Sequence, residues 1–258
     1  MKGSYRVVVQ NAVLRFDFTI RRNITIVKGD SATGKTTLIE MIREYYESGK
    51  ASGIELKCDR ICAPLSGRDW KIFLETMHER IIFIDEGNEF VLSNEFAAAV
   101  RNSDNYFVIV TREGLPNLPY SIDEIYGIRE SGKYAALKQT YNEFYRIYTS
   151  ESHPLPIRPD EVIVEDSNAG YEFYQGISSG ASWTVTSALG KSNLFAKTLE
   201  CKSENVLVIA DGAAFGAEMA RMILVFASFQ ITAPSSPTSH SRPLLHKPSL
   251  QQADSRPA

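Results

Sequence analysis

Short apolar runs and stretches of helical spacing alternate along the first 115 residues. The runs at 23–28, 80–86 and 105–113 are rich in β-branched residues and are typical of buried strands. The segment 33–48 instead repeats its apolar residues at helical spacing, which predicts a helix. Strands joined by helices form a mainly parallel sheet covered by helices, so we predict an α/β fold. Further strands are predicted at 5–10, 13–20 and 53–58, with a turn at Asn11-Ala12, and further helices at 69–79 and 93–103, the latter capped by Ser93.

A proline-rich segment divides the chain. Pro154, Pro156 and Pro159 lie within six residues, which favours an extended linker at 151–160. Residues 229–258 are rich in proline and serine and poor in apolar surface, so we predict a disordered tail. This tail begins where a further strand is expected, which fits an altered reading frame or a truncation. The predicted domains are 1–150 and 161–228, and the second has strands at 161–165, 182–188 and 204–211 and helices at 166–177, 190–200 and 212–226.

Composition and charge exclude several classes of protein. The 258 residues are 43% hydrophobic and 23% charged, unlike a wholly disordered or collagen-like chain. The formal net charge of −3 provides no strong field for nucleic acid, so only a local contact with nucleic acid stays open. We expect a cytoplasmic protein without membrane contact, because no apolar run could span a bilayer and the N-terminus lacks a signal-peptide pattern. The cysteines, Cys58, Cys62 and Cys201, are too few for a disulfide framework or a zinc site, which predicts reduced thiols.

The strongest motif is a glycine-rich loop at 29–36, which fits G-x-x-x-x-G-K-[ST] between a predicted strand and a predicted helix. Gly29 and Gly34 allow backbone angles that bring N–H groups together around an anion. Lys35 is placed to reach the β- and γ-phosphates, and the Thr36 hydroxyl to bind Mg²⁺. The predicted nucleotide-binding residues are Gly29, Asp30, Ser31, Ala32, Thr33, Gly34, Lys35, Thr36 and Thr37.

Polar residues end the next two predicted strands. Asp85 and Glu86 follow the apolar run at 81–84, and ligands of open α/β sheets bind at such strand ends. We predict that Asp85 holds Mg²⁺ and that Glu86 activates a water; the alternative for Glu86 is a solvated acid. Thr111 and Arg112 close the following strand, where they can sense the γ-phosphate or stabilise charge. Their alternatives are a capping threonine and a surface arginine.

These three elements resemble the P-loop NTPase superfamily over residues 20–115. The preceding hairpin is similar to that of ABC-type ATPases of the SMC and DNA-repair kind, and Leu65-Ser66-Gly67 is similar to their LSGG signature, with Arg68 in place of the second glycine. The resemblance implies an ATPase that uses ATP and Mg²⁺, with Lys35, Glu86, Thr111 and Arg112 in catalysis. It also implies self-association or a protein partner. The sequence contains no guanine-reading motif, which favours ATP over GTP.

The C-terminal domain resembles the Toprim fold of topoisomerases, primases and overcoming-lysogenization-defect nucleases. In that family a Glu ends the first strand and an Asp-x-Asp follows a later one, and together they hold Mg²⁺. Glu165 and Asp211 match these acids, whereas Ala213 replaces the second Asp. Three interpretations stay open: a Rossmann-like structural domain, a Toprim-like domain without nuclease activity, and an active nuclease.

The segment 134–148 places Tyr134, Tyr141, Tyr145 and Tyr148 at helical spacing, which predicts a helix. Its tyrosines either form a packed helix face or stack on nucleotides beside Lys138 and Arg146. The functional hypotheses are therefore an Mg²⁺-dependent ATPase, a nucleotide-binding switch without intrinsic turnover, and an ATP-gated nuclease acting on DNA.

Overall fold

The computed structural model describes residues 3–29, 34–131, 139–148, 158–211, 215–225, 230–232 and 244–247. The chain divides into two units, Met1–Tyr148 and Thr149–Ala258. Both contain a sheet flanked by helices, which confirms the α/β class; the larger sheet is mixed, with more parallel than antiparallel strand pairs.

The described residues of the first unit form a sheet of nine strands. They are β1 (Tyr5–Gln10), β2 (Leu14–Ile20), β3 (Ile24–Val27), β4 (Glu55–Lys57), β5 (Cys62–Pro64), β6 (Ile81–Ile84), β7 (Tyr106–Val110), β8 (Ile125–Glu130) and β9 (Thr140–Arg146). Its α-helices are α1 (Lys35–Ser48), α2 (Trp70–Glu75) and α3 (Asn94–Asn102). The strand order is β4-β1-β2-β9-β8-β3-β7-β6-β5, and the block from β8 to β5 is parallel throughout.

The predicted hairpin and helix cap are confirmed. Strands β1 and β2 pair antiparallel around a turn in which the Asn11 side-chain carbonyl accepts hydrogen bonds from the N–H groups of Val13 and Leu14. The Ser93 hydroxyl accepts from the Phe96 N–H at 3.0 Å and so caps α3.

The sheet curls until its two edges approach each other. Its edge strands, β4 and β5, are separated by only four residues, 58–61, which span at most about 18 Å. In a flat sheet of nine strands the edges would lie about 38 Å apart. The rings of Tyr5 on β1 and Tyr106 on β7 therefore meet, with centroids 5.0 Å apart. Helix α1 packs within this curl, and its residues Leu38, Met41 and Ile42 are buried in the core.

The helix predicted at 134–148 is wrong for the part that the structure describes, because β9 occupies 140–146. Tyr141 and Tyr145 lie four residues apart, a spacing that keeps two side chains on one face of a helix or of a strand. Pairing on both sides decides the outcome: β9 is parallel to β2 and antiparallel to β8, and Phe144 stacks on Phe18 at 4.0 Å. Tyr134 and Lys138 lie outside the described residues.

The second unit has its own sheet, ordered β11-β10-β12-β14-β13. Its parallel strands and its helices match the predicted alternation: β10 (Glu161–Val164), α4 (Ala169–Ser178), β11 (Thr184–Ser187), α5 (Lys191–Glu200), β12 (Val206–Ile209) and α6 (Gly216–Val225). Two short strands lie in the predicted tail, β13 (Gln230–Thr232) and β14 (Leu244–Lys247).

The prediction of a disordered tail does not hold for these two segments. Strand β14 pairs antiparallel with β12, and β13 pairs with β14. The edge of β12 presents backbone N–H and C=O groups that a further strand can satisfy. The apolar pair Leu244-Leu245 suits such a strand, although proline and serine surround it. The rest of 229–258 lies outside the described residues.

Candidate functional site

The turn from β3 into α1 holds the two predicted glycines in conformations that other residues rarely adopt. Gly29 has a φ of 138°, and Gly34 has a φ of 85° in the left-handed region, immediately before the first residue of α1. The Lys35 side chain is only 5% exposed, and its Nζ donates a hydrogen bond to the Gly29 carbonyl at 2.8 Å. Asp30, Ser31, Ala32 and Thr33 lie outside the described residues.

The first turn of α1 is suited to an anion. The first helical hydrogen bond runs from the Leu38 N–H to the Gly34 carbonyl at 2.9 Å, so the N–H groups of Thr36 and Thr37 precede the helical ladder. Gly34 offers no side chain to cap them, and the turn holds no acidic residue. The positive end of the helix dipole therefore faces the predicted loop, and the described residues of this turn provide no carboxylate to neutralise it.

The predicted acids leave β6 at the same edge of the sheet. Asp85 is half-buried, and its carboxylate accepts the Glu86 N–H at 2.8 Å. The Asn88 side-chain amide donates to the Asp85 carbonyl at 2.8 Å and so closes the turn. Gly87, with a φ of 89°, lies inside this turn. The chain direction after β6 is thus fixed by hydrogen bonds at Asp85 itself.

Glu86 and Arg112 form an ion pair that sequence reasoning did not foresee. The Arg112 Nε lies 2.7 Å from a Glu86 carboxylate oxygen, and both side chains are more than a third exposed. Exposed ion pairs contribute little to the free energy of folding. The consequence of this contact is therefore that it sets the positions of the two side chains. It joins two residues that were predicted separately as catalytic.

Thr111 lies at the end of β7, beside the predicted loop. It is 7% exposed, and its N–H donates to the Val27 carbonyl at 3.1 Å. Its hydroxyl accepts the Glu113 N–H at 3.1 Å. This bond fits the alternative of a threonine that caps the turn after β7.

Strand register explains why these groups share one edge. In the parallel block, Val27 pairs with Val110, and Ile84 pairs with Ile109. Strand β7 lies between β3 and β6, so the carboxyl ends of all three strands open on the same side. Such an edge is where open α/β sheets bind ligands.

Two charged residues of the first unit were missed. Lys28 follows β3 directly, and burial lowers the pKa of its amine. Glu124 is buried, which raises the pKa of its carboxyl, and the Tyr126 hydroxyl donates to it at 3.3 Å. A single lysine or glutamate at a strand end is usually a solvated charge, so the sequence carries no signal that would have singled out either residue.

The segment 65–67 lies directly after β5. The Leu65 N–H donates to the Phe83 carbonyl at 2.9 Å, and the Gly67 N–H donates to the Asn88 side chain at 3.2 Å. Ser66 and Arg68 are exposed. The segment is therefore tied to the turn that follows Asp85.

The second unit brings its two predicted acids together. The Asp211 N–H donates to a Glu165 carboxylate oxygen at 2.8 Å, and both residues line a cavity of about 290 Å³. Asp166 lines the same cavity, but its carboxylate accepts the N–H groups of Asn168 and Gly170 at the start of α4. Within the described part of the chain, no three His, Cys, Asp or Glu side chains are grouped so that they could hold a metal ion.

The donor set in the first unit nevertheless fits Mg²⁺ with a nucleotide. Magnesium takes one or two protein oxygens and completes its shell with phosphate oxygens and water. The Thr36 hydroxyl on the exposed first turn and the half-buried Asp85 carboxylate are oxygen ligands of that kind.

Comparisons with known proteins return no assignment. No protein-family model matches the chain, and no curated protein is significantly similar to it. Among the described residues, none of the helices has the length and apolar character needed to traverse a lipid bilayer.

Proposed function

We propose that the unit Met1–Tyr148 binds ATP with Mg²⁺ and hydrolyses it, and that its nucleotide state controls the C-terminal unit or a protein partner. One observation carries the proposal: the buried ammonium of Lys35 is held at the Gly29 carbonyl, beside a helix start at which the described residues form no side-chain cap. A cation and a helix N-terminus directed at one point stabilise a bound phosphate. The strand ends that carry Asp85 and Glu86 at the same edge supply the groups that a metal and a water need.

Three residues of the loop and one strand-end acid have defined roles in this proposal. Gly34 turns the chain so that the N–H groups of the first turn face the phosphates. Lys35 exchanges the Gly29 carbonyl for oxygens of the β- and γ-phosphates. Thr36 and Asp85 provide the two protein oxygens for Mg²⁺. When bound, the magnesium nucleotide supplies the phosphoryl group and neutralises the charge that develops on it.

Glu86 orients a water for attack and accepts its proton. Arg112 holds the Glu86 carboxylate in position through their 2.7 Å contact. Thr111 keeps the turn after β7 in place through its bond to the Glu113 N–H. Arg112 is therefore a positioning residue in this proposal.

The test is ATP binding and steady-state hydrolysis with Mg²⁺, in the full chain and in two variants. Lys35→Met keeps an apolar stem in the buried position and removes the charge, so binding should be lost. Glu86→Gln should keep binding and lower kcat by about 10²–10⁴-fold, the usual loss for a general base. Lys50→Met and Glu89→Gln change exposed residues of the same types and should leave both quantities unchanged.

The outcomes separate this proposal from its closest alternative. Binding that depends on Lys35, without turnover in the unmodified chain, would indicate a switch whose hydrolysis needs an arginine from a partner. Turnover that survives Glu86→Gln would contradict the role given to that carboxylate. ATP binding that is unaffected by Lys35→Met would contradict the site.

A metal-dependent nuclease in the second unit is a second candidate, favoured by the contact between Glu165 and Asp211 at the mouth of one cavity. Two acids at adjacent strand ends can hold a divalent cation for phosphodiester chemistry. The assay is nicking of supercoiled DNA with Mg²⁺ or Mn²⁺, in the presence and absence of ATP. Glu165→Gln and Asp211→Asn should abolish nicking, whereas the exposed Glu172→Gln should not. Nicking that persists in both variants would contradict this function.

A further inference from the structure

Two cysteines meet where the curled sheet brings its edges together. Cys58 is the first residue after β4, and Cys62 is the first residue of β5. Both line a surface cavity of about 430 Å³, together with Tyr45 and Tyr46 from the last turns of α1. Neither thiol forms a disulfide in the structure.

The two cysteines differ in exposure, and both line this cavity. Cys62 is only 4% exposed, whereas Cys58 is half-buried. The Cys62 thiol donates a hydrogen bond to the Arg60 carbonyl at 3.9 Å. The exposed Cys58 side of the pair is the one that a small reagent in the cavity can reach.

A hydrogen-bonding interaction with the Cys62 side chain makes Cys58 the thiol with the lower pKa. It lowers the pKa of Cys58 to about 7, against the opposing effects of burial and of the neighbouring Asp59 carboxylate. The same bond, together with burial, raises the pKa of Cys62. At neutral pH the pair therefore combines a half-ionised, half-buried sulfur with a protonated, buried one. A nucleophilic thiolate beside a second thiol is the arrangement that redox-sensitive cysteine pairs use.

The short turn between the cysteines is held from one side. The Arg60 guanidinium lies over the rings of Tyr5 and Tyr106, at 4.8 and 5.3 Å from their centroids. These contacts fix the middle of the turn, and the two cysteines lie at its ends on the same cavity.

We infer that Cys58 and Cys62 form a peroxide-oxidisable dithiol that closes to an intramolecular disulfide. The Cys58 thiolate attacks one oxygen of hydrogen peroxide; the O–O bond breaks, and the products are a sulfenic acid and hydroxide, which becomes water by taking a proton. The Cys62 sulfur then attacks the Cys58 sulfur, the S–O bond breaks, and the departing hydroxide leaves as water with the Cys62 proton. Two thiols have lost two hydrogen atoms, and one peroxide has become two waters. This inference does not depend on the proposed ATPase.

The chain provides an internal control and a convenient digest. Cys201 lies in the second unit, where burial and its hydrogen bond to Glu161 raise the pKa of its thiol. Trypsin cleaves after Lys57, Arg60 and Arg68, so Cys58 and Cys62 fall on different peptides, 58–60 and 61–68. Only a disulfide keeps these two peptides together.

The experiment treats the reduced full chain with limiting hydrogen peroxide, blocks the remaining thiols with iodoacetamide and measures intact and peptide masses. We expect loss of two hydrogen atoms, linked peptides 58–60 and 61–68 that separate on reduction, and alkylated Cys201. In Cys62→Ser, peroxide should leave Cys58 as a sulfenic acid that dimedone traps. Cys201→Ser should form the same disulfide as the unmodified chain.

Alkylation rates at pH 7 give a second measurement that needs no variant. Cys58 is about half ionised and Cys201 less than about 1% ionised, while the lower nucleophilicity of the more acidic thiolate offsets part of this difference. Cys58 should therefore react with iodoacetamide about five-fold faster than Cys201, or more. Equal rates for the two, or peroxide treatment that yields no linked peptides, would overturn the inference.

Discussion

Replacing Gly34 by alanine tests whether the backbone at the start of α1 matters for nucleotide binding beyond its effect on folding. Gly34 has a φ of 85° and a ψ of 8°. An added Cβ would lie 3.5 Å from the Phe16 ring, which is an ordinary contact, so the space around Gly34 accepts the methyl group. The obstacle is the left-handed conformation, which alanine adopts only at a cost of about 1–2 kcal/mol.

Gly53 provides a matched control. It ends the short 3-10 helix Gly49–Ser52 with a φ of 74° and a ψ of 7°, nearly the angles of Gly34, and an added Cβ there would meet no atom within 4 Å. Alanine also restricts the unfolded chain, which offsets about 0.4–1 kcal/mol of the strain. Both variants should therefore lose about 1 kcal/mol of stability, or about 2–4 °C in Tm.

Only Gly34→Ala should weaken ATP binding. The free variant can relax residue 34 out of the left-handed region, and phosphate binding must then restore that conformation, so the strain relieved in the free protein, at most the full cost, opposes binding. A cost of about 1–2 kcal/mol corresponds to an increase of about 5- to 30-fold in Kd. Isothermal calorimetry with magnesium and a non-hydrolysable ATP analogue measures this directly. An unchanged Kd in Gly34→Ala, or an equal increase in Gly53→Ala, would refute the reasoning.

Three further predictions concern individual side chains. Ser93→Ala should destabilise the first unit by about 1 kcal/mol in urea unfolding, because the cap of the Phe96 N–H is lost. Glu124→Gln should increase the free energy of unfolding, and the increase should be larger at pH 7 than at pH 4. Folding raises the carboxyl pKa of Glu124, so the unmodified chain loses stability as the pH rises above 4.5, whereas the glutamine variant does not. An increase that is the same at both pH values would contradict this prediction. Arg112→Gln should lower kcat without changing the Kd for ATP, and an unchanged kcat would contradict its positioning of Glu86.

Local pattern was sufficient to predict most elements of the fold. The apolar run at 81–84 forms the expected strand, and the segment after Lys35 forms the expected helix. Both were predictable because the buried face of an element determines the spacing of its apolar residues. The helix prediction around Tyr141 and Tyr145 was wrong because a spacing of four residues fits both a helix and a strand. The partner strands that decide between the two, β2 and β8, are not encoded in the local pattern of this segment.

Only those residues of the candidate site that directly follow a strand could be located from the sequence. Gly29, Asp85 and Thr111 each follow a strand, so their arrival at one edge required only that the strands be parallel. The contact between Glu86 and Arg112 depends on how two turns run after their strands, and no local pattern encodes that. Burial of Lys28 and Glu124 likewise results from tertiary packing around residues that look solvated in sequence.

The curl of the sheet connects these observations. A flat sheet with this strand order could not be joined by the four residues between β4 and β5, so closure of the curl follows from the connectivity alone. The same closure buries α1 between the two edges and leaves its ends accessible: the predicted phosphate loop lies at the first turn, and the Cys58–Cys62 pair lies beside Tyr45 near the last. Tyr45 lies ten residues after Lys35 on α1, so the two are separated by about 15 Å along the helix, which exceeds the Debye length at physiological ionic strength. Any influence of thiol oxidation on nucleotide binding would therefore have to be transmitted by movement of α1 within the curl rather than by the charge of the thiolate.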